Sequence, residues 1–209
     1  RGTVEAKTTT CDYFPVEKEY GYSVFSTVFY AEFLNKKLNV IDCPGSDDFV
    51  GNAITALNVT DTGVILIDGQ YGVEVGTQNI FRTCEQLKKP IIFAINQLDG
   101  EKADFDNSLT QLKEHYGNKV VPIQFPINCG PSFNSMIDVL LMKQYTWGPE
   151  GGVPTITEIP EEYKEKALEM HQQLVEAAAE NDESLMDKFF EQGALTEDEL
   201  RLGIRKGLI

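Results

Sequence analysis

Buried strands that alternate with helices are the feature that most constrains the fold of this chain. Near-continuous apolar runs occupy residues 63–67, 90–95 and 120–125. Apolar residues at helical spacing fill the stretches between them, residues 75–87 and 103–116. Strands that are apolar on both sides and joined by helices are typical of a mostly parallel sheet with helices on both faces. The sequence therefore predicts an α/β fold.

The residues ahead of this alternation predict a hairpin and one more helix. Residues 22–33 are rich in β-branched and aromatic side chains, and residues 38–41 form another apolar run. The polar turn Asn35-Lys36-Lys37 separates the two, so we expect them to pair antiparallel. Residues 49–59 have apolar positions at helical spacing after an acidic start, which suits the positive end of a helix. Residues 1–19 show no clear period and are predicted to be irregular.

The pattern changes after Gly130 and predicts a second part. Residues 136–145 predict a strand, and residues 153–159 predict a segment that pairs back on it. We therefore divide the chain into residues 1–130 and an inserted, mainly helical subdomain of residues 131–209. Cap residues mark the starts of three helices in this subdomain: residues 160–180, a helix capped by Asn181-Asp182, and a helix that starts at the capping box Thr196-x-x-Glu199.

The charge of the chain is concentrated in this second part. The net charge of −15 at pH 7 argues against a general nucleic-acid-binding surface, because phosphate contacts need Lys and Arg. From Glu158 to Glu199 there are 14 acidic residues and three lysines. Such a segment is either a solvated helix face or a docking site for a basic partner.

Cysteine and histidine patterns give no metal motif. The four cysteines are far apart and form no C-x-x-C pair, which indicates reduced thiols in the cytoplasm. His115 and His171 lie on predicted helices without a second ligand at i+4. No apolar stretch approaches the roughly 20 residues needed to cross a bilayer. We therefore predict a cytoplasmic protein without membrane contact.

Two strand-end motifs carry the chemistry. Asp42-Cys43-Pro44-Gly45 follows one apolar run, and Asn96-Gln97-Leu98-Asp99 follows another about fifty residues later. Each alone is an ordinary strand-end turn. Together they have the order and spacing of the nucleotide-binding motifs of GTPases. In such a loop the aspartate accepts hydrogen bonds from guanine N1 and the exocyclic amine, which adenine cannot offer.

The chain resembles the GTP-binding domain of translation elongation factor G. Glu19-Tyr20-Gly21-Tyr22-Ser23-Val24 is similar to the family's E-R-G-I-T-I, and Asp42-Cys43-Pro44-Gly45-Ser46 to its D-T-P-G-H. Gly72-Val73-Glu74 and Ile127-Asn128-Cys129-Gly130 match its Gly-Val segment and its I-G-x-G/A loop. The remainder resembles the inserted subdomain particular to this family. The resemblance implies a GTPase-type fold with an α+β insert.

The resemblance also implies the role of each site residue. Asp42 would contact Mg²⁺ through water, and Ser23 stands at the position of the family's magnesium-binding threonine. The Gly45 amide would meet the γ-phosphate. The base loop would hold the guanine of GTP or GDP. These base-loop residues are Asn96, Asp99 and, near O6, Cys129.

Three residues depart from the family pattern. Ser46 replaces the histidine that positions the attacking water, which should slow hydrolysis because positioning dominates phosphoryl-transfer catalysis. Gln97 replaces a lysine that covers the base. Asn128-Cys129 replaces a Gly-Ser or Gly-Ala pair. We interpret the last two as tolerated changes.

No G-x-x-x-x-G-K-[ST] phosphate loop occurs in the sequence. In the family this loop and the first strand precede the point where this sequence begins, so we expect a piece of a longer chain with an incomplete sheet. We expect this piece alone to bind nucleotide poorly and to be inactive, with GTP, GDP and Mg²⁺ bound by the full-length parent.

The resemblance implies a ribosomal translocation factor whose GTP hydrolysis drives movement of tRNA and mRNA. Its switch segments would be residues 1–23 and 42–57, and the acidic helices would face the ribosomal stalk protein. Ribosomal RNA and tRNA would meet other parts of the parent. Three alternatives stay open: a GTP-binding ribosome factor with weak or no hydrolysis, a ribosome-protection or rescue relative, and a stalk-binding module only.

Overall fold

A computed structural model of the chain describes residues 2–3, 6–117, 119–149 and 151–207. It divides into two compact units, one of residues 1–65 with 75–92 and the other of residues 66–74 with 93–209. Parts of the predicted segments that fall on residues 1, 4, 5, 118, 150, 208 and 209 lie outside the described residues. No helix in the described ranges is long and apolar enough to cross a membrane.

A short helix opens the first unit. Helix α1 (Pro15–Tyr20) corrects the prediction that residues 1–19 are irregular throughout. Proline suits the first helical turn, and the Glu17 carboxylate accepts a hydrogen bond of 3.1 Å from the backbone N–H of the N-cap, Phe14. Gly21 ends the helix in the left-handed conformation, with φ 76°. A helix this short has no apolar period that a sequence pattern could detect.

The predicted hairpin is present. Strands β1 (Thr27–Phe33) and β2 (Lys36–Asp42) pair antiparallel, with Thr27 opposite Asp42. The turn is Leu34-Asn35, and both residues have positive φ, 48° and 58°. Two left-handed residues match the twist of a hairpin. The turn is therefore shorter and one residue earlier than the predicted Asn35-Lys36-Lys37.

A parallel strand pair follows the hairpin in the chain. Strands β3 and β4 form a two-stranded sheet. The Gly63 N–H donates to Pro90 O at 2.9 Å, and the Gly69 N–H donates to Asn96 O at 2.9 Å. Because the partners advance in the same direction, the strands are parallel, as predicted. The elements of this stretch are a 3₁₀ turn (Asp47–Phe49), α2 (Val50–Val59), β3 (Gly63–Asp68), α3 (Val75–Gln86) and β4 (Ile91–Asn96).

The second unit holds an antiparallel sheet and most of the helices. Strands β5 to β8 are neighbours in chain order. Their sheet and the helices enclose a core that includes Phe105, Phe125, Ile137, Leu174 and Leu200. The elements are α4 (Phe105–Tyr116), β5 (Gln124–Pro126), β6 (Ser135–Asp138), β7 (Lys143–Thr146), β8 (Thr155–Thr157), α5 (Glu161–Ala179), α6 (Glu183–Gln192) and α7 (Glu197–Gly207).

Two strand predictions in this unit are wrong. The run 120–125 contributes only to β5, which pairs antiparallel with β6; Pro122 has no N–H, so it cannot take part in a continuous ladder. The single strand predicted at residues 136–145 is two strands. A turn divides them, in which Asp138 accepts a hydrogen bond of 2.8 Å from the Leu141 N–H and Met142 has φ 52°. The predicted return of residues 153–159 is confirmed by the pairing of β8 with β7.

The helix starts in the acidic segment follow their predicted caps. The Asp182 side chain accepts a hydrogen bond of 3.1 Å from the Leu185 N–H. Glu199 accepts from the Thr196 N–H at 3.0 Å, and its own N–H donates to the Thr196 hydroxyl. Hydrogen bonds from Lys188 and Thr196 lower the pKa of Glu199 to about 2. This cap therefore stabilises the fold above the ordinary pKa of 4.5, and its contribution is lost as the pH falls toward 2.

The mixed α/β class is confirmed.

The close approach of α5 and α7 generates a stability prediction. A Cβ at Gly203 would lie 2.5 Å from the Ala178 carbonyl oxygen. Gly203→Ala should therefore lower the free energy of unfolding by about 1–3 kcal/mol, measured by urea denaturation. Gly51→Ala is the control, because nothing lies within 4 Å of a Cβ there. It should raise the free energy of unfolding by about 0.5–1 kcal/mol. Effects of the same sign in the two variants would contradict the packing.

Candidate functional site

The loop after β2 presents an open backbone position. Asp42 is the last residue of β2 and is half-buried, while Pro44 is buried. Gly45 is exposed, and nothing lies within 4 Å of where its Cβ would be. The backbone there can therefore be approached by a ligand. Ser46 is the N-cap of the 3₁₀ turn, but its side chain makes no cap hydrogen bond.

Asp42 influences a residue that the sequence did not point to, Cys11. The Cys11 carbonyl accepts a hydrogen bond of 2.9 Å from the hydroxyl of Thr27, the residue opposite Asp42. Burial, the hydrogen bond to Asp42 and the charge of that carboxylate raise the pKa of Cys11 from 9.0 to about 11. The thiol is therefore neutral at pH 7 and can donate to the carboxylate.

The hydroxyl of Ser23 also has a carboxylate partner. It donates to Asp12 Oδ1 at 2.6 Å, and Asp12 Oδ2 accepts from the Thr9 hydroxyl at 3.1 Å. Asp12 lies in the segment predicted to be irregular, and no local pattern distinguishes it from other acids. The first unit thus contains four of the predicted site residues: Ser23, Asp42, Gly45 and Ser46.

The second unit builds the loop after β4 from backbone hydrogen bonds. Asn96 and Asp99 are exposed, whereas Leu98 between them is buried. The Asn96 carbonyl accepts from the Gly69 N–H, and the Gln97 carbonyl accepts from the Gly100 N–H at 3.0 Å. Gln97 has a left-handed backbone, with φ 55°. These bonds fix a turn that exposes both predicted base-binding side chains.

Cys129 lies in a loop that is tied to this turn. The Gly130 N–H donates to the Leu98 carbonyl at 2.8 Å, so the structure brings residues 127–130 to the loop of Asn96 and Asp99. Cys129 itself is half-buried. A cleft of about 290 Å³ adjoins it, lined by the start of α4, residues 126–129, Tyr163 and Lys166. Lys166 closes one wall through an ion pair of 2.8 Å with Asp106.

Asp99 in the second unit suits guanine, and Ser23 and Asp42 in the first unit suit Mg²⁺. The exposed Asp99 carboxylate can accept two N–H groups of guanine. The hydroxyl of Ser23 and the carboxylate of Asp42 are the hard oxygen ligands that Mg²⁺ prefers, with waters and substrate phosphates completing its shell. Among the described residues, no group of three or more His, Cys, Asp and Glu could hold a metal ion.

Comparison with known proteins identifies the class. The family model of the elongation factor Tu GTP-binding domain matches residues 1–197. A crystal structure of a protein from Thermus thermophilus is 31% identical, with a TM-score of 0.89, and the match covers 100% of this chain and 32% of that one. This chain therefore spans about a third of the solved protein. The fold is that of a translational GTPase domain. In particular, the chain belongs to the elongation factor Tu GTP-binding domain family, whose members bind GTP or GDP with Mg²⁺.

The contact between Cys11 and Asp42 can be tested by titration. Alkylation of Cys11 should rise with pH toward a midpoint near 11, followed by mass spectrometry. Asp42→Asn removes the charge, so the pKa should fall, but it should stay above 9.0 because burial, the largest cause, remains. Cys84 is the control, since burial alone raises its pKa. An unchanged Cys11 profile in Asp42→Asn would contradict the contact.

Proposed function

We propose that this chain is the GTP-binding part of a ribosomal translocation factor of the elongation factor G type. The observation that carries the proposal is the segment of residues 131–209, in which acidic helices α5 to α7 follow strands β6 to β8 of the antiparallel sheet. The sequence of this segment resembles the insert that separates elongation factor G from the tRNA-delivering factors. In this proposal residues 1–130 are the GTP-binding part, and the full-length parent acts in the cytoplasm on the ribosome.

The site residues have distinct proposed roles. Ser23 and Asp42 serve the magnesium ion, and the Gly45 amide meets the γ-phosphate. The second group of residues holds guanine, and it comprises Asn96, Asp99 and Cys129. The exposed backbone at Gly45 and the exposed carboxylate of Asp99 support these assignments.

Ser46 decides how fast the parent hydrolyses GTP. A serine hydroxyl is shorter than an imidazole and cannot carry its positive charge. If water positioning depends on this residue, the parent binds GTP as a conformational ligand and hydrolyses it slowly. Ser46 is exposed and its side chain makes no cap hydrogen bond, so a substitution there can be tested without disturbing the 3₁₀ turn.

The deciding experiment measures phosphate release by the full-length parent with and without ribosomes. We expect ribosomes to stimulate release, and we expect Ser46→His to raise the stimulated rate roughly tenfold or more, because a histidine restores water positioning. Ser46→Ala is the control for loss of the hydroxyl. Guanine-nucleotide binding without ribosome-stimulated release in any variant would contradict translocase activity.

The exposed side of α5 supports docking of the ribosomal stalk protein. Glu165, Glu169 and Glu176 are exposed, and none of them takes part in an ion pair among the described residues. Glu165 and Glu169 are four residues apart, a spacing at which like charges destabilise a helix. The apolar Leu168 is exposed beside them, at 59%. An acidic face whose like charges destabilise the helix, with the apolar Leu168 beside them, suits a partner that has basic residues around an apolar contact.

Charge reversal tests this docking surface. We expect lysine substitution of Glu165, Glu169 and Glu176 to weaken stalk-protein binding roughly tenfold at low salt, with a smaller effect at high salt, because exposed charges are screened. The matched control reverses three exposed acids elsewhere: Glu32, Glu85 and Glu114. Equal binding by the two triple variants would refute docking through α5.

A further inference from the structure

We propose that the buried carboxylate of Glu17 is the positioning residue that presents the Ser23 hydroxyl to the magnesium ion. This inference rests on the proposed function of Ser23. Glu17 is fully buried, with 0% of its surface exposed. None of the ion pairs among the described residues includes it. A buried carboxylate without a cation needs other hydrogen-bond donors.

Backbone N–H groups supply these donors. Glu17 Oε2 accepts from the Phe14 N–H at 3.1 Å, which fixes the carboxylate at the start of α1. Oε1 accepts from the N–H groups of Val24 and Phe25 at 3.0 and 3.1 Å. These two residues immediately follow Ser23. One carboxylate therefore closes the loop that runs from α1 through Ser23 to β1.

The same segment is held from its other side. The Val24 carbonyl accepts a hydrogen bond of 3.3 Å from the Asn52 amide, which lies on α2. The rings of Phe14 and Phe25 pack against each other, with 4.9 Å between their centroids. The backbone after Ser23 is thus held by Glu17 on one side and by Asn52 of α2 on the other, while the Ser23 hydroxyl itself donates to Asp12. Glu17 therefore acts on Ser23 through the main chain.

A general stabilising role would not need this arrangement. The capping bond to Phe14 uses one oxygen and would be available to an exposed acid. The bonds to Val24 and Phe25 use the other oxygen, and they connect the helix to residues that the cap does not require. Only a carboxylate, with two accepting oxygens, can serve both sides. The amide of glutamine has an NH₂ group in place of one oxygen, and this group donates instead of accepting.

The test uses the full-length parent with a non-hydrolysable GTP analogue and increasing Mg²⁺. Hydrogen exchange of residues 22–25, followed by mass spectrometry, reports when the segment becomes ordered. For Glu17→Gln we expect the Mg²⁺ concentration for half-maximal protection to rise roughly tenfold, with GDP affinity unchanged, because switch segments contact the ion in the GTP state. Glu32→Gln, which changes an exposed residue of β1 in the same unit outside the switch segments, should behave like the wild type.

The outcomes separate this inference from the function on which it rests. The inference is overturned if Glu17→Gln and the wild type need the same Mg²⁺ concentration for half-maximal protection. It is also overturned if Glu17→Gln loses the same amount of protection at every Mg²⁺ concentration. If Glu17→Gln does not fold, Glu17→Asp replaces it, because aspartate keeps the charge but has a shorter side chain. Glu17→Asp must then show the same rise in the Mg²⁺ concentration for half-maximal protection. If the wild type and Glu32→Gln show no nucleotide-dependent protection, the proposed function fails and the inference fails with it.

Discussion

The backbone of Gly69 connects the elements on which the second unit depends. Its N–H donates to the Asn96 carbonyl at 2.9 Å, and its carbonyl accepts from the Asp104 N–H at 2.8 Å. One residue therefore joins the end of β3 to the end of β4 and to the start of α4. A side chain at this position would clash, since a Cβ at Gly69 would lie 2.9 Å from the Asn96 carbonyl oxygen. The exposed loop of Asn96 and Asp99 is consequently set by main-chain bonds at its base.

Local signals account for the parts of the fold that the sequence predicted correctly. The caps of α6 and α7 use side chains and N–H groups only three residues apart, so a short pattern contains all the partners. The turn between β6 and β7 was missed because its left-handed residue is Met142, which no turn preference indicates. Helix α1 was missed because its cap comes from a buried glutamate, a residue type that sequence reasoning places at the surface.

The same distinction applies to the candidate site. Asn96, Asp99 and Asp42 could be proposed because each ends or follows an apolar run of the sequence, although β4 is only half-buried and most of β2 is exposed. Asp12 and Glu17 could not be predicted, because their partners lie 11 and 7 residues further along the chain. The role of each depends on a chain reversal that α1 and Gly21 create. No spacing rule identifies such partners before the reversal is known.

The two units hold their site residues by different kinds of bond, and this difference suits different tasks. In the second unit the carbonyls of Asn96, Gln97 and Leu98 all bind backbone N–H groups, so the loop is fixed as part of the fold. In the first unit, carboxylate and amide side chains hold Ser23 and the residues after it. Side-chain bonds can be exchanged by rotation about single bonds without unfolding a strand. In the proposed function, a fixed loop suits a base that is the same in GTP and GDP, whereas an exchangeable one suits a phosphate that hydrolysis removes.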